Sequence, residues 1–185
     1  VRALRAGETG RLKAFFGGLS PAARRWRFHG AVNELPPAWI ERMAHPDPCC
    51  EAVLLAETGE GAEARTVGEA RYVAQGAAPG TRELAIVVAD GWQGHGIGAA
   101  LLCALEQAAC RQGVLRLFGD VQRDNLAMLA LATRAGYATG RHPNDPTLVR
   151  IAKPLVAASA ANATHTTTAT AAAAAPTAYV GRGCN

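Results

Sequence analysis

The stretch IVVADGWQGHGIGAALLCALEQAACR, residues 86–111, decides how the chain is read. Ile86-Val87-Val88-Ala89 is a continuous apolar run, the pattern of a strand buried on both faces. Asp90-Gly91-Trp92-Gln93-Gly94-His95-Gly96-Ile97-Gly98 follows at once, and Ala99 to Arg111 then places Leu101, Leu102, Leu105 and Ala108 at helical spacing. A glycine-rich loop between a buried strand and a helix suits an anion. Glycine lets backbone N–H groups approach a phosphate, and the helix N-terminus adds partial positive charge. The loop lacks the GxxxxGK[ST] pattern of a P-loop. Nor is it a good dinucleotide fingerprint: the glycines run Gly94, Gly96, Gly98, position 101 is leucine, and the loop lies mid-chain after several strands rather than in a first βαβ unit. On this physics alone a phosphate cradle and a purely structural turn both stay open.

Outward from this unit, apolar runs alternate with turn signals. Arg2 to Ala6 reads as a short strand and Glu8 to Phe16 as a helix. Ser20-Pro21 is an N-cap followed by proline at the first helical position, opening a helix to about Phe28. Pro36-Pro37 opens another, with Trp39, Ile40 and Met43, closed before Pro46. Ala52 to Glu57, Thr66 to Ala74 and Glu83 to Ala89 read as strands, the last two joined by the turn-rich segment Gln75 to Thr81. Downstream come a strand from Val114 to Val121, a helix capped by Asp124 and running from Asn125 to about Ala135, and a last strand from Leu148 to Ala152. This order is a mixed α/β pattern in one domain, residues 1–153. Residues 154–185, rich in Ala and Thr and carrying His165, read as a low-complexity tail outside the core.

Composition narrows the function classes. At 185 residues with 49% hydrophobic and 18% charged, the chain is long and apolar enough for one core. No apolar run approaches the ~20 residues of a membrane helix, and Val1-Arg2-Ala3-Leu4-Arg5 lacks the apolar centre of a signal peptide. The chain begins without Met. Lys+Arg exceed Asp+Glu by 19 to 15, a net +4 that is too small to imply a nucleic-acid partner. Arg24, Arg25 and Arg27 could meet a phosphate, but a solvated helix face is the favoured reading. The five cysteines form no CxxC pair and no zinc-ligand spacing, so reduced thiols in the cytoplasm, small packing roles for Cys103 and Cys110, and no metal are expected.

Gln93-Gly94-His95-Gly96-Ile97-Gly98 resembles the Q/R-x-x-G-x-G/A motif of the GNAT acyltransferase superfamily. The likeness continues in Glu83-Leu84-Ala85-Ile86-Val87-Val88, in Asn125-Leu126-Ala127-Met128-Leu129-Ala130-Leu131 and in Ala135-Gly136-Tyr137, so it covers about residues 2–153. A narrower likeness, in Phe15 to Pro21 with Arg24, Arg27 and Phe28 and in Asp145-Pro146 with Val149-Arg150, is to the GNAT domain of bacterial protein lysine acetyltransferases. The resemblance implies a mixed, mainly antiparallel sheet flanked by helices, with splayed central strands. It implies acetyl-CoA as acyl donor and a primary amine, a protein lysine, as acceptor. A small-molecule amine or a non-catalytic acyl-CoA-binding role are the alternatives.

The same resemblance assigns roles. The backbone of Ile86, Val87 and Val88 would hold the cofactor, with the Val88 N–H polarising the acetyl carbonyl. Gln93, Gly94, His95, Gly96, Ile97 and Gly98 would meet its pyrophosphate, His95 standing where many relatives have Arg or Lys, and Asn125 would be a further contact. An amine is mostly protonated at neutral pH and needs a base. Glu83, at the start of an apolar strand where desolvation raises a carboxyl pKa, matches the base of the protein acetyltransferase branch, and Glu69 on the preceding strand is its rival. The tyrosine acid that many relatives carry seven residues after this asparagine is replaced by Ala132, so water is left to protonate the thiolate. Trp92 is expected to pack behind the loop.

Overall fold

The computed structural model describes residues 1–30, 32, 34–74 and 79–155; the Gln75–Ala78 part of the expected turn and residues 156–185 of the expected tail lie outside them. The first two residues of that expected tail belong to the core instead: Pro154 ends the last strand opposite Arg116, and Leu155 is buried, its N–H donating to the Leu115 carbonyl at 2.8 Å. In chain order the elements are β1 (Arg2–Ala3), α1 (Thr9–Gly17), α2 (Pro21–Phe28), α3 (Pro37–Ala44), β2 (Ala52–Thr58), β3 (Arg65–Ala74), β4 (Thr81–Val88), α4 (Ile97–Arg111), β5 (Arg116–Gln122), α5 (Leu126–Arg134), β6 (Ala138–Arg141) and β7 (Leu148–Pro154). The strands form one seven-stranded sheet in the order β1-β2-β3-β4-β5-β7-β6. Only the β4–β5 pair is parallel. The α4 crossover between those two strands makes that pairing possible.

Local chemistry sets the boundaries. Ser20 caps α2 as its spacing predicts, accepting from the Ala23 N–H at 3.1 Å, with Pro21 at the first helical position. The start of α5 differs: Asn125, not Asp124, is the cap, and its side chain accepts from the Met128 N–H at 3.1 Å. Asp124 instead pairs with Arg25 and accepts from the Trp26 indole N–H at 3.2 Å, tying α5 to α2. Strand β6 was not foreseen. Its four residues, Ala-Thr-Gly-Arg, are all exposed and carry no alternation; pairing with β7 alone defines it.

Two apolar clusters fill the two faces of the sheet. On one, Leu101, Leu102, Leu105 and Ala109 of α4 bury against Leu54, Ala70, Tyr72, Leu84 and Leu117. Ala108 flanks that cluster and is only partly buried, while Cys110 packs against it and Cys103 is exposed. On the other face, Leu12, Phe15 and Phe16 of α1 and Ile40 and Met43 of α3 cover Val53, Leu55 and Val87. Gly68 of β3 allows α4 its close approach: a Cβ there would sit 2.9 Å from Leu101 Cδ1.

Charged groups lace the outer edge. Arg2 donates from Nε to Glu57 at 2.6 Å and from Nη1 to Glu8 at 2.8 Å, and Arg11 reaches Glu57 at 2.8 Å. The Arg2 hydrogen bond holds the Glu8 carboxyl down to about 2, against the opposing effect of burial. A depressed carboxyl contributes stability above its unfolded pKa and loses it as pH falls through the folded one. Denaturant unfolding followed by pH is therefore expected to show stability dropping between 4.5 and about 2, and Glu8→Gln to remove part of that slope.

The feature that matters for function is where the sheet opens. Strand β4 pairs with β3 along Arg82–Val88, but with β5 only at Thr81–Glu83 against Arg116–Phe118. Beyond Glu83 the two central strands part. The Ala89 N–H donates to the Val67 carbonyl at 2.9 Å. In an antiparallel ladder alternate residues bond to the same neighbour, so the backbone groups of Val88 and Ile86 point the other way, into the opening. The run Ile86–Ala89 is thus not buried on both faces: Val87 is 7% exposed, whereas Ile86 and Val88 are half-buried along the parting.

Candidate active site

A cavity of about 520 Å³ fills the opening, bounded by α2, β4, the glycine loop and α5. Of the residues expected from sequence, Ile86, Val87, Val88, Gln93, Gly94, Gly96, Gly98 and Asn125 line it. Glu83, His95 and Ile97 do not; Glu83 stands at the last residue pair before the strands part. The exposed His95 ring folds back, its Nδ1 lying 2.8 Å from the Gln93 carbonyl oxygen, and Ile97 packs against the core under α4. Trp92, expected behind the loop, is 40% exposed and lines the cavity. A crevice of about 30 Å³ bordered by Ala85, Ile86, Asp120 and Val121 extends along the parted strands. A larger opening of about 690 Å³ lies beneath His142–Pro146 and holds none of the expected residues.

The loop is shaped by backbone and caps. Gly94 and Gly96 have φ of 78° and 81°, left-handed values that β-carbons disfavour, and Gly96 is the residue at which α4 begins. The Gln93 side-chain amide donates to the Val88 carbonyl at 3.1 Å, pinning the loop to the parted edge of β4. Ser20 Oγ donates to Asp90 at 2.8 Å, so the residue that caps α2 also fixes the start of the loop. The N–H groups of the first turn of α4 consequently face the same end of the cavity as the glycines, an arrangement suited to a polyanion.

Charges cluster where the opening meets the α2 face. Glu69 is fully buried; Arg71 Nε donates to it at 2.5 Å and Arg27 Nε at 3.3 Å. Burial pushes the Glu69 carboxyl up, but the two guanidiniums outweigh that and hold it below the usual range. Locked between two arginines, Glu69 is a poor proton acceptor. Glu83 is half-buried, and burial followed by the nearby Asp120 pushes its carboxyl above the usual range, opposed by Arg150 and Arg27. Asp120 itself takes a two-pronged contact from Arg150 at 2.8 Å and lies 3.2 Å from His142 Nε2. The His142 Nδ1 accepts the N–H groups of Asn144 and Asp145, which fixes the loop after β6.

Arg27 is the residue that sequence reading placed wrongly. It belongs to no solvated face: its side chain is 9% exposed and lines both the cavity and the crevice. The signal was available in helical spacing, since Arg27 stands four residues after the buried Ala23 and so shares its face. Neither tyrosine among the described residues lines the cavity. Tyr72 donates its hydroxyl to Gln112 at 2.8 Å, Tyr137 is buried under Lys153, and Ala132 is buried inside α5. Among the described residues no group of three or more His, Cys, Asp or Glu could hold a metal ion.

Central strands that part beside a glycine-rich helix start are the architecture that the resemblance to the GNAT acyltransferases implies. A model of the acetyltransferase (GNAT) family matches residues 21–137, and the chain belongs to that family. Acetyl-CoA is the acyl donor that membership implies. The chain is 34% identical over 149 residues to the acetyltransferase PA5475 of Pseudomonas aeruginosa, covering 80% of each. It is 39% identical over 77 residues to the acetyltransferase Pat of Mycolicibacterium smegmatis, 42% of this chain and 23% of that one. The crystal structure of the GNAT domain of S. lividans PAT superposes with a TM-score of 0.75 at 26% identity, over 83% of this chain and 89% of that one.

Proposed function

We propose that the protein transfers the acetyl group of acetyl-CoA to a primary amine, and that the amine is a protein lysine. The observation that carries this is Glu83: an ionisable carboxyl with a raised pKa at the root of the opening, while the rival Glu69 is consumed by its arginines. The likeness of Phe15 to Pro21 to protein lysine acetyltransferases supports the acceptor.

On this reading the pyrophosphate rests on the loop from Gln93 to Gly98 and the first turn of α4, and the acyl chain runs along the parted edge of β4 with Asn125 opposite. The Val88 N–H accepts no role in the β3 ladder and is free to polarise the acetyl oxygen. Glu83 and Val88 stand five residues apart, about 17 Å along an extended strand, which exceeds one hydrogen bond. The proton of the attacking ammonium therefore reaches Glu83 through bridging water. As the C–N bond forms the C–S bond breaks, its electron pair leaves on sulfur, and solvent returns the proton.

The test is release of free CoA thiol from acetyl-CoA by the purified protein, offered lysine-bearing proteins and small amines in parallel, with mass spectrometry of the products. Turnover with proteins and acetyl-lysine in the product are expected. Turnover with small amines alone makes the acceptor a metabolite, and tight CoA binding without turnover makes the site a binding module.

A further inference from the structure

We propose that Arg27 is the group that stabilises the departing CoA thiolate, replacing by charge what a tyrosine acid supplies elsewhere. This rests on the acetyltransferase reading above and adds the fate of the leaving group to it.

Three observations converge on Arg27. It is the one cationic side chain that borders both the main cavity and the crevice, among the described residues; Arg134 borders the first alone. Its Nε, not its terminal Nη groups, meets Glu69, so the end of the guanidinium lies beyond that contact. And no tyrosine borders either space among the described residues.

The charge balance around it is unusual. Glu69 from β3 is shared between Arg27 from α2 and Arg71, also from β3, and a buried Nη2 of Arg71 has no hydrogen-bond partner. Two guanidiniums thus stand against one buried carboxylate, an imbalance that desolvation makes costly. Glu83 from β4 supplies the second negative charge felt by Arg27, and Asp120 from β5 is already matched by Arg150. His29, just past α2, has its imidazolium disfavoured by burial first and adds no cation at neutral pH. In the ground state the cluster is therefore balanced. When Glu83 takes the amine proton it becomes neutral, and the cluster is left with one excess positive charge at the moment sulfur becomes negative. Arg27 keeps its own proton, since a guanidinium is not a practical acid, and acts by field and hydrogen bonding alone. The bonds made and broken are those of the acetyl transfer, and the thiolate is protonated by water after departure.

The test separates sulfur from the rest of CoA. Calorimetry is run with CoA and with desulfo-CoA, which lacks the thiol, on wild type, Arg27→Gln and Arg27→Lys. The ultraviolet absorbance of the thiolate is titrated in the wild-type complex as a measurement that needs no variant. The bound thiol is expected to titrate about one unit or more below its ordinary value near 8.5. Above that pH, Arg27→Gln is expected to lose about tenfold in CoA affinity with desulfo-CoA binding unchanged, Arg27→Lys retaining most of it. In turnover kcat is expected to fall, with the amine KM held. Equal losses for CoA and desulfo-CoA, or a bound thiol with an unshifted pKa, overturn the assignment of Arg27 while leaving the acetyltransferase site standing. Failure of wild type to bind either ligand overturns both.

Discussion

Glu83→Gln is expected to lower acetyl transfer by about a hundredfold or more at neutral pH, with CoA affinity unchanged. Glutamine keeps the volume and the hydrogen-bonding capacity of the side chain but cannot take a proton. In wild type the acid limb of kcat/KM should lie above the ordinary carboxylate range, because burial and Asp120 raise the Glu83 pKa. In the variant that limb vanishes, and raising the pH restores part of the rate by supplying free amine. Stability runs the opposite way. A carboxyl whose folded pKa is raised contributes stability below its unfolded pKa and loses it as pH rises through the folded one. Ionised Glu83 therefore costs stability at neutral pH, and the variant should melt no lower than wild type. A Glu83→Gln protein that turns over like wild type at every pH would remove the base from β4.

Glu69→Gln is expected to do the reverse. Removing one member of a buried ion cluster leaves its partners uncompensated, at about 3–5 kcal/mol. Here the partners are two arginines whose side chains are each a tenth exposed or less. For a domain of this size that corresponds to a fall in Tm of about 10 °C. Where the variant is folded, acetyl transfer should keep the wild-type acid limb, since Glu69 is held ionised by Arg71 and Arg27 and has no proton-transfer role. Thermal melts and pH–rate profiles of the two variants side by side decide between the two carboxylates. Stability lost in the variant that keeps activity is the signature of a packing charge, and activity lost in the one that keeps stability is that of a working one.

The central architecture was legible because it is written in local signals. The apolar run Ile86–Ala89, the glycines at 94, 96 and 98 and the spacing of Leu101, Leu102 and Leu105 each have one good structural solution, and together they place the loop at the start of α4. Strand β6 was not legible, because Ala138-Thr139-Gly140-Arg141 carries neither alternation nor apolar bulk, and only its neighbour makes it a strand. The cap of α5 reads from sequence as Asp124 and is Asn125; the two adjacent residues have equal capping power, and the competing demand of Arg25 and Trp26 on Asp124 leaves the role to Asn125. The burial of Arg27 was hidden for a related reason. Its partner Glu69 lies 42 residues away, and a charge that finds a distant counter-charge looks in sequence like one that faces water.

The sheet is, in mechanical terms, two panels on a short hinge. One panel is β1 to β4 and the other β5, β7 and β6, and on the strand ladder they are joined by only three residue pairs, Thr81–Glu83 with Arg116–Phe118. A molecule seated in the gap completes the seam that the backbone leaves unsewn, so it acts as a cross-brace as well as a reactant. Folding stability is then expected to rise with occupancy, by RT ln(1 + [L]/Kd). Backbone amides along the parted edges of β4 and β5 are expected to exchange faster in the empty protein than in the occupied one, while the apolar cluster shared by both panels holds them together.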